Sequence, residues 1–148
     1  MVFVDMPALS QAFRALEGDD EKAAKKAYKS VLGIKHLETR VDAITHAARH
    51  SCWEKIAKKA FTDLCRQMAK SGEYSAEQQA GQMEDMVYLG CRIPSLRISA
   101  IEHILDLIEK GRLDKDGEGS VKFLDFVLEK TKDKESPTVL RAKRIRGL

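Results

Sequence analysis

Apolar residues recur along the chain at intervals of three and four positions, which is the spacing of one face of an α-helix. Glycine, proline and serine divide this pattern into about eight amphipathic segments. No stretch alternates apolar and polar residues as a half-exposed strand does. The sequence therefore predicts a single all-α domain over residues 1–148. Its helices are expected to stack in antiparallel pairs, either as an α-solenoid-like array or as an irregular bundle.

Several of the predicted helices begin with capping signals. Asp5 is placed to cap the first helix, just before a proline in its first turn. Two Ser-x-x-Glu/Gln patterns predict capping boxes, Ser51–Glu54 for the fourth helix and Ser75–Gln78 for the fifth. The seventh helix, predicted over 120–132, is apolar on more than one side. Such a helix is expected to lie centrally or to contact a partner, including a second copy of the chain.

An internal repeat links two of the predicted helices. Segment 40–48, RVDAITHAA, aligns with segment 97–105, RISAIEHIL, at a spacing of 57 residues. A weaker third copy, SPTVLRAKRI, spans 136–145. These segments resemble HEAT-like repeats, and the resemblance covers roughly residues 34–148. It implies stacked helix pairs that present a surface to another protein. The alternative is a chance match within an irregular bundle.

The overall charge does not by itself indicate a class of partner. The chain has 26 basic and 23 acidic residues, a net charge of +3, so only clustering could indicate nucleic acid. Clustering is present on three predicted helices. The basic stripes are Lys22, Lys25, Lys26 and Lys29 on the second helix; Lys55, Lys58, Lys59 and Arg66 on the fourth; and Arg141, Lys143, Arg144 and Arg146 on the last. These stripes either form a groove that binds the phosphates of nucleic acid or are ordinary solvent-facing surfaces. Few exposed aromatic residues are available to stack nucleic-acid bases, which counts against the first interpretation.

The connection before the seventh helix resembles an EF-hand calcium-binding loop. It reads DKDGEGSVKFLD over 114–125. The resemblance implies a glycine turn at Gly119 and calcium as a candidate cofactor. The implied ligands are Asp114, Asp116, Glu118, the backbone carbonyl of Ser120, and Asp125. The sequence departs from the family pattern in two ways: Asp125 replaces the longer glutamate, and Lys122 stands where a water is usually held. The alternative is an exposed polar connection between helices.

Histidine and cysteine provide one further candidate cluster. His46 and His50 lie four positions apart on one predicted helix, with Cys52 nearby. No Glu-x-x-His pattern or second cysteine completes a set of metal ligands. His46 also aligns with His103 in the repeat, and this alignment favours a structural role for His46. The three cysteines are odd in number and far apart, which favours a reducing, cytoplasmic location. We expect neither a signal peptide nor a membrane span or membrane partner.

These patterns together favour a non-enzymatic interaction module or adaptor that binds another protein or itself. No phosphate-binding loop, nucleophile motif or paired-carboxylate arrangement indicates catalysis. Two alternatives remain from other functional classes. One is a nucleic-acid-binding helical protein that uses the basic stripes. The other is a calcium-responsive regulator that uses the loop over 114–125.

Overall fold

A computed structural model describes residues 6–148, and this part of the chain forms eight α-helices and no strand. The prediction of an all-α fold is confirmed. The cap predicted at Asp5 lies outside the described residues. The helices are α1 (Met6–Glu17), α2 (Glu21–Leu32), α3 (Leu37–His50), α4 (Glu54–Ser71), α5 (Ala76–Tyr88), α6 (Pro94–Glu109), α7 (Glu118–Lys130) and α8 (Pro137–Arg146).

Consecutive helices form four pairs. The densest contacts join α1 with α2, α3 with α4, α5 with α6, and α7 with α8. Within each pair the helices are separated by only three to six residues. Connections this short fold neighbouring helices back on each other, so each pair is an antiparallel hairpin.

The hairpins stack into two layers. The first helices of the pairs form one layer, in which α1 contacts α3 and α3 contacts α5. The second helices form the other layer, in which α2 contacts α4, α4 contacts α6, and α6 contacts α8. Tyr88 of α5 extends the first layer to α7, because its ring packs edge-on against Phe126 at a centroid distance of 4.7 Å. This arrangement corresponds to the predicted stack of antiparallel pairs.

The core lies between the two layers and is rich in alanine where packing is closest. Both helices of the α3–α4 hairpin bury alanines completely, including Ala47 and Ala57. Small side chains allow two helix backbones to approach closely. The repeated isoleucines Ile44 of α3 and Ile101 of α6 are both buried, and Phe61 of α4 is half-buried.

One predicted capping box forms and the other does not. Ser75 and Gln78 cap α5 reciprocally, as predicted. The box predicted at Ser51–Glu54 is wrong: Ser51 already closes α3, and the N-cap of α4 is Trp53. Only three residues separate these helices, so the Ser51 hydroxyl accepts the Trp53 amide at 3.1 Å instead of reaching the first turn of α4.

The two copies of the repeat occupy different positions within their hairpins. Segment 40–48 lies on α3, the first helix of its pair, whereas segment 97–105 lies on α6, the second helix of its pair. The copies nevertheless share one relationship. His46 contacts α1 and His103 contacts α4, so each histidine faces the preceding helix of its own layer. The HEAT-like resemblance stays a prediction.

Candidate functional site

Two of the three basic stripes lie on neighbouring helices. We call them together the basic face: the stripe Lys22 to Lys29 of α2 and the stripe Lys55 to Arg66 of α4. These helices are neighbours in the second layer. Helix α2 carries four lysines and one glutamate, and α4 carries five basic and two acidic residues, so together they have a net charge of +6. This exceeds the +3 of the whole chain. The remainder of the molecule is therefore negative on balance.

The lysines of the basic face lie in solvent and are only partly neutralised. Three ion pairs of the i, i+4 type run along the helices, joining Glu21 to Lys25, Glu54 to Lys58, and Lys59 to Asp63. The exposed members of the face are Lys22, Lys25, Lys26, Lys29, Lys55, Lys58, Lys59 and Arg66. Exposed pairs of this type contribute little to stability, so most of these charges remain available to a partner.

A buried polar contact joins the two helices beneath the basic face. The Tyr28 hydroxyl of α2 donates a hydrogen bond to Oδ2 of Asp63 on α4 at 2.5 Å. The same oxygen accepts from Nζ of Lys59 at 2.8 Å, and this ammonium lies 5.1 Å from the centroid of the Tyr28 ring. The contact therefore fixes the position of a lysine at the seam between the helices.

The ionisation of this pair follows from its surroundings. Burial raises the pKa of Tyr28, and the hydrogen bond and negative charge of Asp63 raise it further, so the phenol stays protonated. Burial also acts to raise the pKa of Asp63, but the hydrogen bonds from Lys59 and Tyr28 outweigh burial and lower it overall. Asp63 is thus a carboxylate with two donors at neutral pH.

The third basic stripe, on α8, is separated from the basic face by α6. Its first member, Arg141, is directed toward α6, where its guanidinium pairs with Glu102, Asp106 and Glu109. Arg146 pairs with Asp125 of α7 at 3.0 Å. Lys143 and Arg144 are exposed. This stripe therefore attaches α8 to its neighbours and leaves two basic residues for solvent.

The structure does not bring the five predicted calcium ligands together. Helix α7 begins at Glu118, so Glu118, Ser120 and Asp125 lie on a helix, and the first and last are about 10 Å apart along its axis. Asp114 and Asp116 lie in the preceding turn, where Oδ1 of Asp114 accepts the Asp116 amide at 3.0 Å. A calcium ion needs oxygens that converge at about 2.3–2.6 Å from it.

The carboxylates of this segment instead have basic partners. Glu118 pairs with Lys122 one turn further along α7 at 3.5 Å, and Asp125 pairs with Arg146. Ser120 lines a cavity of about 270 Å³ between α5, α6 and the start of α7, together with Glu84 and Phe123. Burial, followed by the neighbouring charge of Asp85, raises the pKa of Glu84 in this cavity. Calcium binding by the loop stays a prediction.

A cluster that sequence reasoning did not complete lies between α1 and α3. Nε2 of His46 is 2.8 Å from Oε1 of Glu17, and the His46 and His50 rings are 4.4 Å apart between centroids. Within residues 6–148 this is the single group of three or more histidine, cysteine or carboxylate side chains whose ligand atoms lie within 4.8 Å of one another. Glu17 is 29 positions from His46, so no local spacing could have indicated it.

The apolar second side of α7 is partly covered. Phe123, Leu124 and Val127 are buried, while Phe126 and Leu128 are half-buried. Tyr88 covers Phe126 from one side, and the guanidinium of Arg97 lies 5.9 Å from the Phe126 ring centroid. Self-association through this side stays a prediction. Light scattering that shows a strict monomer at high concentration would contradict it.

None of the helices over residues 6–148 combines the length and the apolar character needed to cross a membrane. Comparison of the chain with protein families, with curated proteins and with solved structures finds no match. The function is therefore inferred from the residues and geometry of the chain itself.

Proposed function

We propose that the protein is a non-enzymatic helical interaction module that binds an acidic segment of another protein through the basic face of α2 and α4. The observation that carries this proposal is the packing of two lysine-rich helices side by side, which brings together two helices with a combined net charge of +6. A surface of one sign attracts a surface of the opposite sign and disfavours other partners.

The chemistry of the face supports binding rather than catalysis. A solvent-exposed lysine has a protonated amine at neutral pH and presents a positive charge instead of a nucleophile. Two exposed carboxylates remain at the face, Glu21 and Glu54, one in the first turn of each helix. An acidic protein segment that also carries some basic residues complements such a pattern.

A cytoplasmic location is part of the same proposal. All three cysteines are free. Burial raises the pKa of the Cys65 and Cys91 thiols to about 11, so both are neutral thiols at physiological pH. Unpaired thiols persist in reducing compartments.

Nucleic acid is the second candidate partner, and the same two rows of lysines favour it. Two parallel rows of ammonium groups suit phosphates, and binding of this kind weakens steeply as salt rises. The acidic protein remains first because the aromatic ring at the centre of the face, Tyr28, is only 4% exposed and is not available to stack a base.

Charge reversal on α2 tests the proposal. We expect the triple variant Lys22→Glu, Lys26→Glu, Lys29→Glu to bind fluorescent poly-L-glutamate at least about tenfold more weakly than the wild type at low salt, because attraction becomes repulsion. The matched control is Lys110→Glu, Lys115→Glu, Lys132→Glu. It changes the net charge equally at exposed lysines outside the basic face and is expected to bind as the wild type does.

Three results would count against the acidic-protein proposal. Equal losses in both triple variants would show that overall charge, and not the α2–α4 surface, is responsible. No binding of poly-L-glutamate by the wild type would remove the proposed partner class. Salt-dependent binding of a short DNA or RNA in place of poly-L-glutamate would establish the second candidate.

A further inference from the structure

Glu17, His46 and His50 meet because of the stacking of the first two hairpins. His46 and His50 are one turn apart on α3, so their side chains share a face of the helix. Helix α1 packs against α3 in the first layer and ends at Glu17, which brings the carboxylate to the two imidazoles. The three side chains thus come from two hairpins, and their arrangement depends on the tertiary structure.

We propose that Glu17, His46 and His50 form a binding site for a divalent transition-metal ion of the zinc class. Two imidazole nitrogens and one carboxylate oxygen are a ligand set that suits zinc, whereas calcium and magnesium require mainly oxygen ligands. Three protein ligands leave one coordination position for water or an exchangeable ligand.

The geometry is close to what such an ion requires. All three ligand atoms lie within 4.8 Å of one another, and the Glu17–His46 separation is 2.8 Å. Ligands about 2.0–2.2 Å from a tetrahedral ion are roughly 3.3–3.6 Å apart, so the Glu17–His46 pair would open by about 0.5 Å and the longer separations would shorten by at most about 1.5 Å. The His46 and Glu17 side chains are 21% and 45% exposed, which leaves a path for the ion from solvent.

One ligand is already held in place by packing. The Phe13 ring stacks on the His46 ring at 4.1 Å between centroids, with an angle of 12° between their planes. Contacts that restrict a ligating ring reduce the ordering that metal binding would otherwise require. An ion at this position would also connect α1 to α3, and so the first hairpin to the second.

Two arginine side chains lie close to the cluster. Arg49 and Arg92 are nearby and would repel a cation. Their side chains are engaged by backbone carbonyls: Nε of Arg49 donates to Gly90 at 3.2 Å, and Arg92 donates to Glu17 at 3.0 Å.

The test measures zinc binding in a Cys52→Ser background. This substitution removes the exposed thiol, whose Sγ is 3.5 Å from the carbonyl oxygen of Gly18. We expect titration calorimetry to show one zinc ion per chain. A zinc concentration about 100 times the dissociation constant should raise the melting temperature by roughly 5–10 °C. Glu17→Gln and His50→Gln should each weaken binding by about 100-fold or more.

A matched histidine control separates the cluster from non-specific binding. His36 is exposed and caps α3 by accepting the Thr39 amide. We expect His36→Asn, which keeps a capping side chain, to bind zinc as the parent does. Circular dichroism checks that each variant is folded.

Several outcomes would overturn the assignment. These are no stoichiometric heat with zinc, unchanged affinity in folded Glu17→Gln and His50→Gln variants, or an equal loss of affinity in His36→Asn. Binding by the wild type that is absent from the Cys52→Ser background would show that the thiol, and not the three-residue cluster, holds the ion.

Discussion

The Tyr28 hydroxyl lies 2.5 Å from the Asp63 carboxylate, and both residues are buried in the contact between α2 and α4. This is a hydrogen bond to a charged acceptor between residues 35 positions apart. It connects two hairpins beneath the surface that we propose as the binding site. Its loss is therefore expected to affect both stability and the shape of that surface.

We predict that Tyr28→Phe lowers the free energy of unfolding by about 1.5–3 kcal/mol, the contribution of a hydrogen bond to a charged group. Asp63 loses one of its two donors, while the aromatic ring and its packing remain. Urea denaturation measures the change. Tyr74→Phe is the matched control, because the Tyr74 hydroxyl is buried without a hydrogen-bond partner within residues 6–148. That variant is expected to be neutral or slightly stabilising, and equal losses in both would contradict the role of Asp63.

The ion pairs of Arg141 are predicted to hold α8 against α6. Its side chain is 19% exposed, and its guanidinium pairs with three carboxylates on successive turns of α6. We expect Arg141→Gln to lower the free energy of unfolding by about 1–2 kcal/mol and to increase hydrogen exchange in α8.

Arg144→Gln provides the comparison on the same helix. Arg144 is 74% exposed and reaches Glu109 only at 3.8 Å. Its replacement is expected to change stability by less than about 0.5 kcal/mol. Identical hydrogen exchange in α8 for the two variants would rule out a specific contribution from Arg141.

Acidification is predicted to weaken the contact between α4 and α6 at His103. Burial lowers the pKa of His103, and its Nε2 is buried without a hydrogen-bond partner within the described residues. Below about pH 6.5 His103 takes up a proton in the unfolded chain more readily than in the folded chain. The contribution of neutral His103 to the free energy of unfolding is therefore fully present above that pH and is lost as the pH falls. We expect the wild type to lose more stability between pH 7.5 and 5.5 than His103→Gln does.

Urea unfolding at the two pH values, with a chelator present, measures this difference. Both proteins retain the other three histidines, so their shared pH dependence cancels in the comparison. A wild type that is equally stable at both pH values, or that loses no more than the variant, would be inconsistent with the shift assigned to His103.

Calcium at about 1 mM is predicted to leave the melting temperature unchanged, because α7 begins at Glu118 and holds Glu118 and Asp125 on separate turns. Scanning calorimetry with calcium and with a chelator measures this. A calcium-dependent rise that disappears in Asp114→Ala would instead show that the start of α7 unwinds to form the EF-hand-like loop.

The helices could be predicted from the sequence because their determinants are local. The apolar spacing that predicts about eight helices is read within each segment, and the Ser75–Gln78 cap lies within one turn of chain. Apolar spacing reports which side of a helix faces inward. Apolar spacing does not indicate which other helix that side packs against, so the Tyr28–Asp63 contact between α2 and α4 could not be predicted.

The candidate sites likewise combine local features, which the sequence indicates, with tertiary contacts, which it does not. The lysine stripes were visible one helix at a time, but their union into one face depends on the packing of α2 beside α4. The EF-hand pattern is local, yet helix formation competes with it. Glu118 lies in the first turn of α7 and pairs with Lys122 at i, i+4, and both features stabilise a helix that begins at this residue.

The concentration of positive charge on two neighbouring helices also has a kinetic consequence. Helices α5 and α6 together carry six acidic residues and one arginine, and Arg141 of α8 pairs with three of the six, so the electric field around the molecule is asymmetric. During diffusion such a field turns the molecule so that α2 and α4 lead toward a negatively charged object. For the acidic partner that we propose, encounters would then begin in a productive orientation, and added salt would slow association much more than it would speed dissociation.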